Sequence, residues 1–199
     1  MAIKVQYNKT FLQQVQKQLR IRVNALPTLQ AKESALRLEV KKAKGEVTRI
    51  EDELEEARAS VKHSFRLWTE FPEGLLSVKN VEIDISRIAG VKTPVFKRTD
   101  FAMVDFSLFV NAGWVPEGVA MLKKTAALTI ERAVAERKVE ILEYARKKTT
   151  QKVNLYEKVQ IPEFNEAILK IKRFLEDEEN LAKSSQKILK ERMAAAEAA

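Results

Sequence analysis

Cysteine is absent, glycine and proline number only five each, histidine occurs once, and no stretch approaches the roughly 18 consecutive apolar residues that a membrane span requires. Without cysteine there is no disulfide scaffold, and a reducing, cytoplasmic compartment fits. So little glycine and proline excludes a collagenous or linker-like chain and leaves few residues for loops. The opening residues, Met1 to Thr10, are polar and lack the apolar core of a signal peptide. Against these absences stand 199 residues, 45% apolar and 32% charged, a balance that excludes a disordered chain and points to a protein of long helices.

Charge is uneven along the chain. The formal net charge is +8, and residues 1–44 hold ten basic side chains against two acidic ones. Residues 45–117 are slightly acidic and residues 118–199 mildly basic. The basic surface at the N-terminal end suits nucleic acid, acidic lipid or an acidic protein cavity.

Between Leu12 and Trp68 apolar residues alternate at spacings of three and four: Leu12, Val15, Leu19, Leu26, Leu29, Leu36, Val40, Ala43, Val47, Ile50, Leu54, Ala57, Val61 and Trp68. The seam is interrupted only by Arg22, Glu33 and Ser64, and Lys, Arg, Glu and Gln fill most of the space between, which is the pattern of a coiled-coil helix. Asn8 or Thr10 can cap its start. Pro27 falls inside the run, so a kink near Asn24 is expected rather than an end, and Phe71-Pro72-Glu73-Gly74 should stop the helix.

From Ser77 to Phe96 the period changes to two. Val81, Ile83 and Ile85 alternate with polar residues, and Val91 to Phe96 follow Arg87-Ile88-Ala89-Gly90, which reads as a β-hairpin turning at Gly90. Pro94 cannot donate to a ladder, so its strand is an edge there. Phe101 to Val110 is apolar on both faces and reads equally as helix or strand. A second long helix begins near Trp114-Val115-Pro116-Glu117 and continues to Met193. Its stripe is Val119, Leu122, Ala126, Ile130, Val134, Ile141 and Ala145, then, after a register shift, Phe164, Ile168, Ile171, Leu175, Ala182 and Leu189, with a second possible kink at Pro162. The expected fold is mainly α: a long antiparallel two-helix coiled coil with a short insert. Residues 1–70 form the first helix, 71–114 the insert with its hairpin at about 80–97, and 115–199 the second helix, in one elongated domain.

Little here builds an enzyme. His63 has neither cysteine nor a second histidine to complete a zinc site and reads as structural or solvent-facing. Gly90-Val91-Lys92-Thr93 lacks the first glycine of a phosphate loop and separates glycine from lysine. Glu176-Asp177-Glu178-Glu179 are four consecutive helical residues that point in different directions, a solvated face rather than a metal or acid-base site. Arg146-Lys147-Lys148 and Lys41-Lys42 lack the interleaved aromatics that stack single-stranded bases. Seven of the eleven Phe and Trp residues instead lie between 68 and 114: Trp68, Phe71, Phe96, Phe101, Phe106, Phe109 and Trp114. That region reads as a small core or a docking patch, and the residues alone do not choose.

Three segments carry a family likeness. Asn8 to Leu12 with Leu26 to Leu29 and Lys32 to Leu36, the hairpin motif Ile88 to Phe96, and Trp114 to Gly118 with Thr149 to Leu155 and Val159 to Pro162 resemble the D subunit of the V-type and A-type rotary ATPases. Asn180 to Lys190 departs from the family by lacking its aromatic-basic sequence. The resemblance implies a non-catalytic central-stalk rotor component with no cofactor, nucleotide site or metal. Such a shaft couples ATP hydrolysis or synthesis to proton or sodium movement, peripheral on the cytoplasmic face of the membrane and without a span of its own. Implied partners are the A and B subunits of the catalytic hexamer, the small F subunit, and the adaptor that caps the membrane ring. Ile88, Ala89, Gly90, Val91, Pro94, Val95, Phe96 and Trp114 are then candidates for a partner interface, and Lys41, Lys42 and Lys44 for cations facing the catalytic cavity. The F-type γ subunit resembles the chain less, since its insert is a large α/β domain. A free coiled-coil adaptor or nucleic-acid-binding rod would share the heptads and the basic charge, but has no use for the hairpin motif.

Overall fold

The computed structural model describes residues 5–63, 66–107 and 112–197. Ser64, Phe65 and Phe109, and the His63 side chain, lie outside that description. In chain order the elements are helix α1 (Lys9–His63), a 3₁₀ turn (Leu67–Glu70), strands β1 (Leu76–Ile88) and β2 (Val91–Met103), helix α2 (Val115–Asn154), a π turn (Leu155–Gln160) and helix α3 (Ile161–Glu197). The protein is mainly helical, with a two-stranded antiparallel hairpin between its long helices.

Helix α1 starts where capping chemistry permits. The side-chain Oδ1 of Asn8 accepts the Phe11 amide at 2.6 Å, satisfying an amide the first turn leaves without a partner. The helix continues through Pro27, which costs one backbone hydrogen bond. It ends at His63, short of the expected Trp68, which sits instead on the tighter 3₁₀ turn with its ring 5.2 Å from those of Phe71 and Trp114.

The chain forms two compact units. In the unit of residues 32–148, the α1 seam packs antiparallel on α2. Ile50, Leu54 and Ala57 meet Leu128 and Ala135, and Leu36, Val40 and Ala43 meet Leu142. Leu36, Ile50, Leu54 and Leu142 are fully buried, and each contributes roughly 1.5–3 kcal/mol through lost apolar exposure. Cross-helix ion pairs follow the same register: ascending α1 through Lys44, Glu46, Arg49 and Glu51, the partners descend α2 from Glu143 through Lys138 to Glu131 and Arg132. Even the polar seam position Glu33 is half-buried, whereas the off-seam Leu38 is exposed.

The α2 stripe is rotated from the expected one. Val119 is buried as anticipated, but Leu128, Ala135 and Leu142 carry the contact at strict sevenfold spacing, while Ile130, Val134 and Ile141 are only half-buried. Both stripes are apolar, so sequence spacing does not choose between adjacent faces.

The hairpin is longer than the expected 80–97. Register runs from Ile88↔Val91 to Leu76↔Met103, with irregularities between Val78 and Asn80 and between Glu82 and Ile83. The first leaves Lys79 of β1 unpaired and the second Lys97 of β2, and each extra residue switches the alternation of its own strand. Phe101 therefore belongs to β2, and Ile83 and Ile85 are exposed despite their regular spacing. The turn is Ala89-Gly90, both at positive φ (49° and 79°), which suits the right-handed twist of a two-residue hairpin.

The second unit comprises residues 1–31 and 149–199. Val15, Val153, Ala167 and Ile171 are buried, Leu12, Leu19 and Leu26 are half-buried, and the rings of Tyr7 and Phe174 lie 4.8 Å apart. Past Leu175 every described side chain of α3 is exposed, including Ala182 and Leu189 of the expected stripe. The π turn precedes Pro162, and the Ile161 amide donates to the Tyr156 carbonyl five residues back. The extra residue resets the helix so that Pro162 occupies the first turn of α3, where its missing N–H costs little. It also accounts for the register shift between Ala145 and Phe164.

Candidate functional site

The hairpin tip is held against the helices by its own apolar residues. Ile88 and Val91, the pair that closes the turn, pack on the cluster of Leu36, Val40, Ala43 and Leu142 together with Val139 and Ala145. Thr93 is completely buried, and its hydroxyl donates to the carbonyl of its cross-strand partner Ser86 at 3.4 Å. Pro94, Val95 and Phe96 flank a small cavity of about 50 Å³ shared with Glu46, Ile50, Glu131 and Lys138. Of the eight candidate interface residues, Ala89, Gly90 and Val95 are exposed and the other five are half-buried. The outward surface of the hairpin carries residues that sequence reasoning does not mark as interface: Ile85 is 66% exposed and Ile83 48%. Charged pairs flank them, Arg98 with Glu82 and Lys97 with Asp84. The Ile85 amide and then Lys97 hold the Asp84 carboxyl below its ordinary value.

Trp114 belongs to an aromatic group. Its ring lies edge-on to Trp68 and 5.9 Å from Phe71, beside the buried Leu75, Val115 and Val119. Gly118 stands one helical turn later because the indole leaves no room for a Cβ there, which would come 2.6 Å from a ring carbon. Next to this group a cleft of about 670 Å³ is lined by Phe71, Leu75, Leu76, Phe101 and Leu122 among others. The buried indole N–H groups of Trp68 and Trp114 have no hydrogen-bond partner among the described residues. Half the expected choice is thus resolved: these aromatics pack a small core, and that core borders an open apolar cleft.

The three candidate cations on α1 are all exposed but differ in company. Lys42 pairs with Glu39 on its own helix at 2.9 Å, and Lys44 reaches Glu143 on α2 at 2.6 Å. The Lys44 hydrogen bond, reinforced by the charges of Lys44 and Arg146, lowers the Glu143 pKa although partial burial acts the other way. Lys41 has no carboxylate partner among the described residues. Lys44 therefore makes a cross-helix pair as well as presenting charge. Glu176 to Glu179 lie on the exposed stretch of α3, where Glu179 is engaged by Lys183 at 3.0 Å. Among the described residues no group of His, Asp and Glu converges to hold a metal, and no helix is long and apolar enough to cross a membrane.

Comparison with known proteins gives this architecture a family. The family model for the D subunit of ATP synthase matches residues 11–191, spanning α1, the hairpin, α2 and nearly all of α3. The chain is 29% identical to the V-type ATP synthase D subunit of Borreliella burgdorferi over 189 residues, covering 94% of each chain. It is 31% identical to the protein of the same name from Chlamydia muridarum over 158 residues, covering 76% of this chain and 77% of that one. The match extends over both units and through the hairpin rather than resting on heptads alone, and the chain belongs to the ATP synthase D-subunit family.

Proposed function

We propose that this chain is the central rotor shaft of a V/A-type ATPase, a non-catalytic component that transmits torque between the A/B catalytic hexamer and the membrane ion-translocating ring. The carrying observation is the single antiparallel register in which α1 and α2 bury their seam and cross-link by ion pairs, in a chain whose family is that of a rotary ATPase component. A part under torque needs its helices to turn together, and this packing resists relative sliding because each cluster would have to open at once.

The partners are those that the family resemblance implies, assigned to the surfaces the chain leaves open. The exposed, unpartnered end of α3 and the basic first third of α1 enter the catalytic hexamer, the small F subunit lies along the helices, and the aromatic cleft at the base of the hairpin faces the ring adaptor. Lys41, Lys42 and Lys44 engage acidic surfaces of the cavity without fixed pairing, which lets one shaft serve three equivalent positions. Coupling is to proton or sodium movement.

The test is to recover the chain, tagged at an exposed site, from native membranes after mild detergent extraction. Two large nucleotide-binding proteins with ion-sensitive ATPase activity are expected. Recovery of nucleic acid, or of no ATPase components from membranes that contain the intact complex, refutes the shaft. Neutralising Lys41, Lys42 and Lys44 together should change the salt dependence of hydrolysis in the assembled complex, and an unchanged salt profile removes their cavity role.

A further inference from the structure

Arg22 occupies a seam position of α1 where the heptad calls for an apolar side chain, and its surroundings are built for it. Its Nε donates to Gln160 Oε1 at 2.6 Å, and its Nη1 donates to Gln18 Oε1 at 2.7 Å and to the Gln18 carbonyl at 3.0 Å. The guanidinium carbon lies 4.6 Å from the Phe164 ring centre and 5.9 Å from that of Tyr156. Gln18, Arg22, Tyr156, Gln160 and Phe164 all belong to the unit of residues 1–31 and 149–199, and Arg22, Tyr156, Gln160 and Phe164 are half-buried.

The partners bracket the one place where the second long helix leaves α geometry. Tyr156 and Gln160 are in the π turn, and Phe164 lies one turn beyond it. Pro162 favours an extra residue upstream but does not dictate which residues form the widened turn. Apolar seam contacts resist sliding but, being non-directional, do not by themselves single out one register, whereas a hydrogen-bonded polar residue in a seam is satisfied in only one. If the π turn closed into α-helix, each α3 residue would take the place of its successor opposite α1. Arg22 would then lose Gln160 and be left half-buried with fewer acceptors, an outcome that the present geometry disfavours.

We propose that Arg22 sets the register of this unit: by clamping Tyr156, Gln160 and Phe164 it holds the π turn in place and so determines which residues of α3 face α1. The proposal is independent of the shaft reading, because it concerns packing within the chain. It assigns a role to the specific segment around Val159 to Pro162 that the candidate interfaces leave unexplained.

The test uses the native lack of cysteine. Leu12 and Leu175 line one groove, so the full chain carrying Leu12→Cys with Leu175→Cys should form a disulfide faster than the chain carrying Leu12→Cys with Phe174→Cys. Closing the π turn brings position 174 to where 175 stood. In both backgrounds Arg22→Met and Gln160→Leu should raise the 174-to-175 cross-linking ratio several-fold. Arg22→Lys should do the same, because an ammonium lacks the planar fork. Gln160→Glu keeps the acceptor and should leave the ratio at its parental value, a rescue that generic loss of packing does not produce. Far-UV circular dichroism checks that each variant remains helical, and if Arg22→Met does not fold, Gln160→Leu decides alone. An unchanged ratio in folded Gln160→Leu, or a Gln160→Glu variant that shifts as far as Gln160→Leu, overturns the proposal.

Discussion

Single residues show where backbone preference yields to packing. Gly118 sits near the start of α2, where alanine would ordinarily favour the helix by about 1 kcal/mol, yet its missing Cβ is what admits the Trp114 indole. Gly118→Ala is therefore expected to destabilise the protein by about 1–3 kcal/mol in denaturant unfolding, with a shifted tryptophan emission as the rings move. The Lys44–Glu143 pair makes a second case. The folded pKa of Glu143 is depressed, so the pair's contribution is present above the unfolded value near 4.5 and is lost as pH falls through the folded pKa. Lys44→Met should raise the Glu143 pKa in an NMR titration and flatten the acid limb of the stability curve. The loss at neutral pH should stay within about 1 kcal/mol, since Lys44 is exposed and Glu143 is partly so. Raising the pH instead tests Lys170, which Glu166 holds protonated above its ordinary value. That contribution is complete below pH 10.5 and disappears as pH rises through the folded pKa.

At the scale of elements, the hairpin turn is the strained point. Ala89 holds φ at 49°, a region an L-residue occupies at some cost, because closing Ile88 on Val91 with two residues requires it. Ala89→Gly should gain up to about 1 kcal/mol and Ala89→Val should lose about 1–2 kcal/mol, both read from denaturant midpoints. The sequence marks Gly90 for positive φ but not Ala89, since alanine carries no such signal. Legibility differs in the same way along the helices. The α1 seam can be read position by position, even to its polar members Arg22 and Glu33, because Lys, Arg and Glu on the back leave one apolar stripe. On α2, spacing does not choose between the stripe through Ile130, Val134 and Ile141 and that through Leu128, Ala135 and Leu142, because this helix is apolar on two adjacent faces and only its partner chooses between them. The exposure of Ile83 and Ile85 is hidden for a related reason, as an extra residue in either strand, Lys79 in β1 or Lys97 in β2, changes how the hairpin faces its surroundings without changing composition. The interface candidates in the hairpin motif are visible from the sequence, but their division into helix-facing Ile88 and Val91 and exposed Ala89, Gly90 and Val95 depends on long-range packing that no local pattern records.

For the molecule as a whole, the proposed shaft role requires the paired helices to turn as one body. Two interventions separate folding from function. The described side chains of α3 beyond Leu175 are all exposed and none of them joins either core, so truncation after Asn180 should leave the thermal midpoint within about 2 °C while lowering helical content. If the same truncation also leaves assembly with the catalytic hexamer intact, that end of α3 is not an insertion tip. The second intervention fixes α1 to α2. Glu46 and Lys138 meet across the helices at 2.8 Å and sit beside the buried Ile50 and Ala135 contact. Both can be replaced by cysteine and bridged with a short bis-maleimide, and the absence of native thiols keeps the label specific. Bridging removes relative sliding or separation of the helices but leaves rigid rotation free, so a shaft that turns as one body should retain ATP-driven ion movement in full. Loss of transport with hydrolysis preserved would show that the helices must shift against each other during the cycle, because a torque-bearing pair with internal motion would uncouple when locked, whereas a rigid one would not register the bridge.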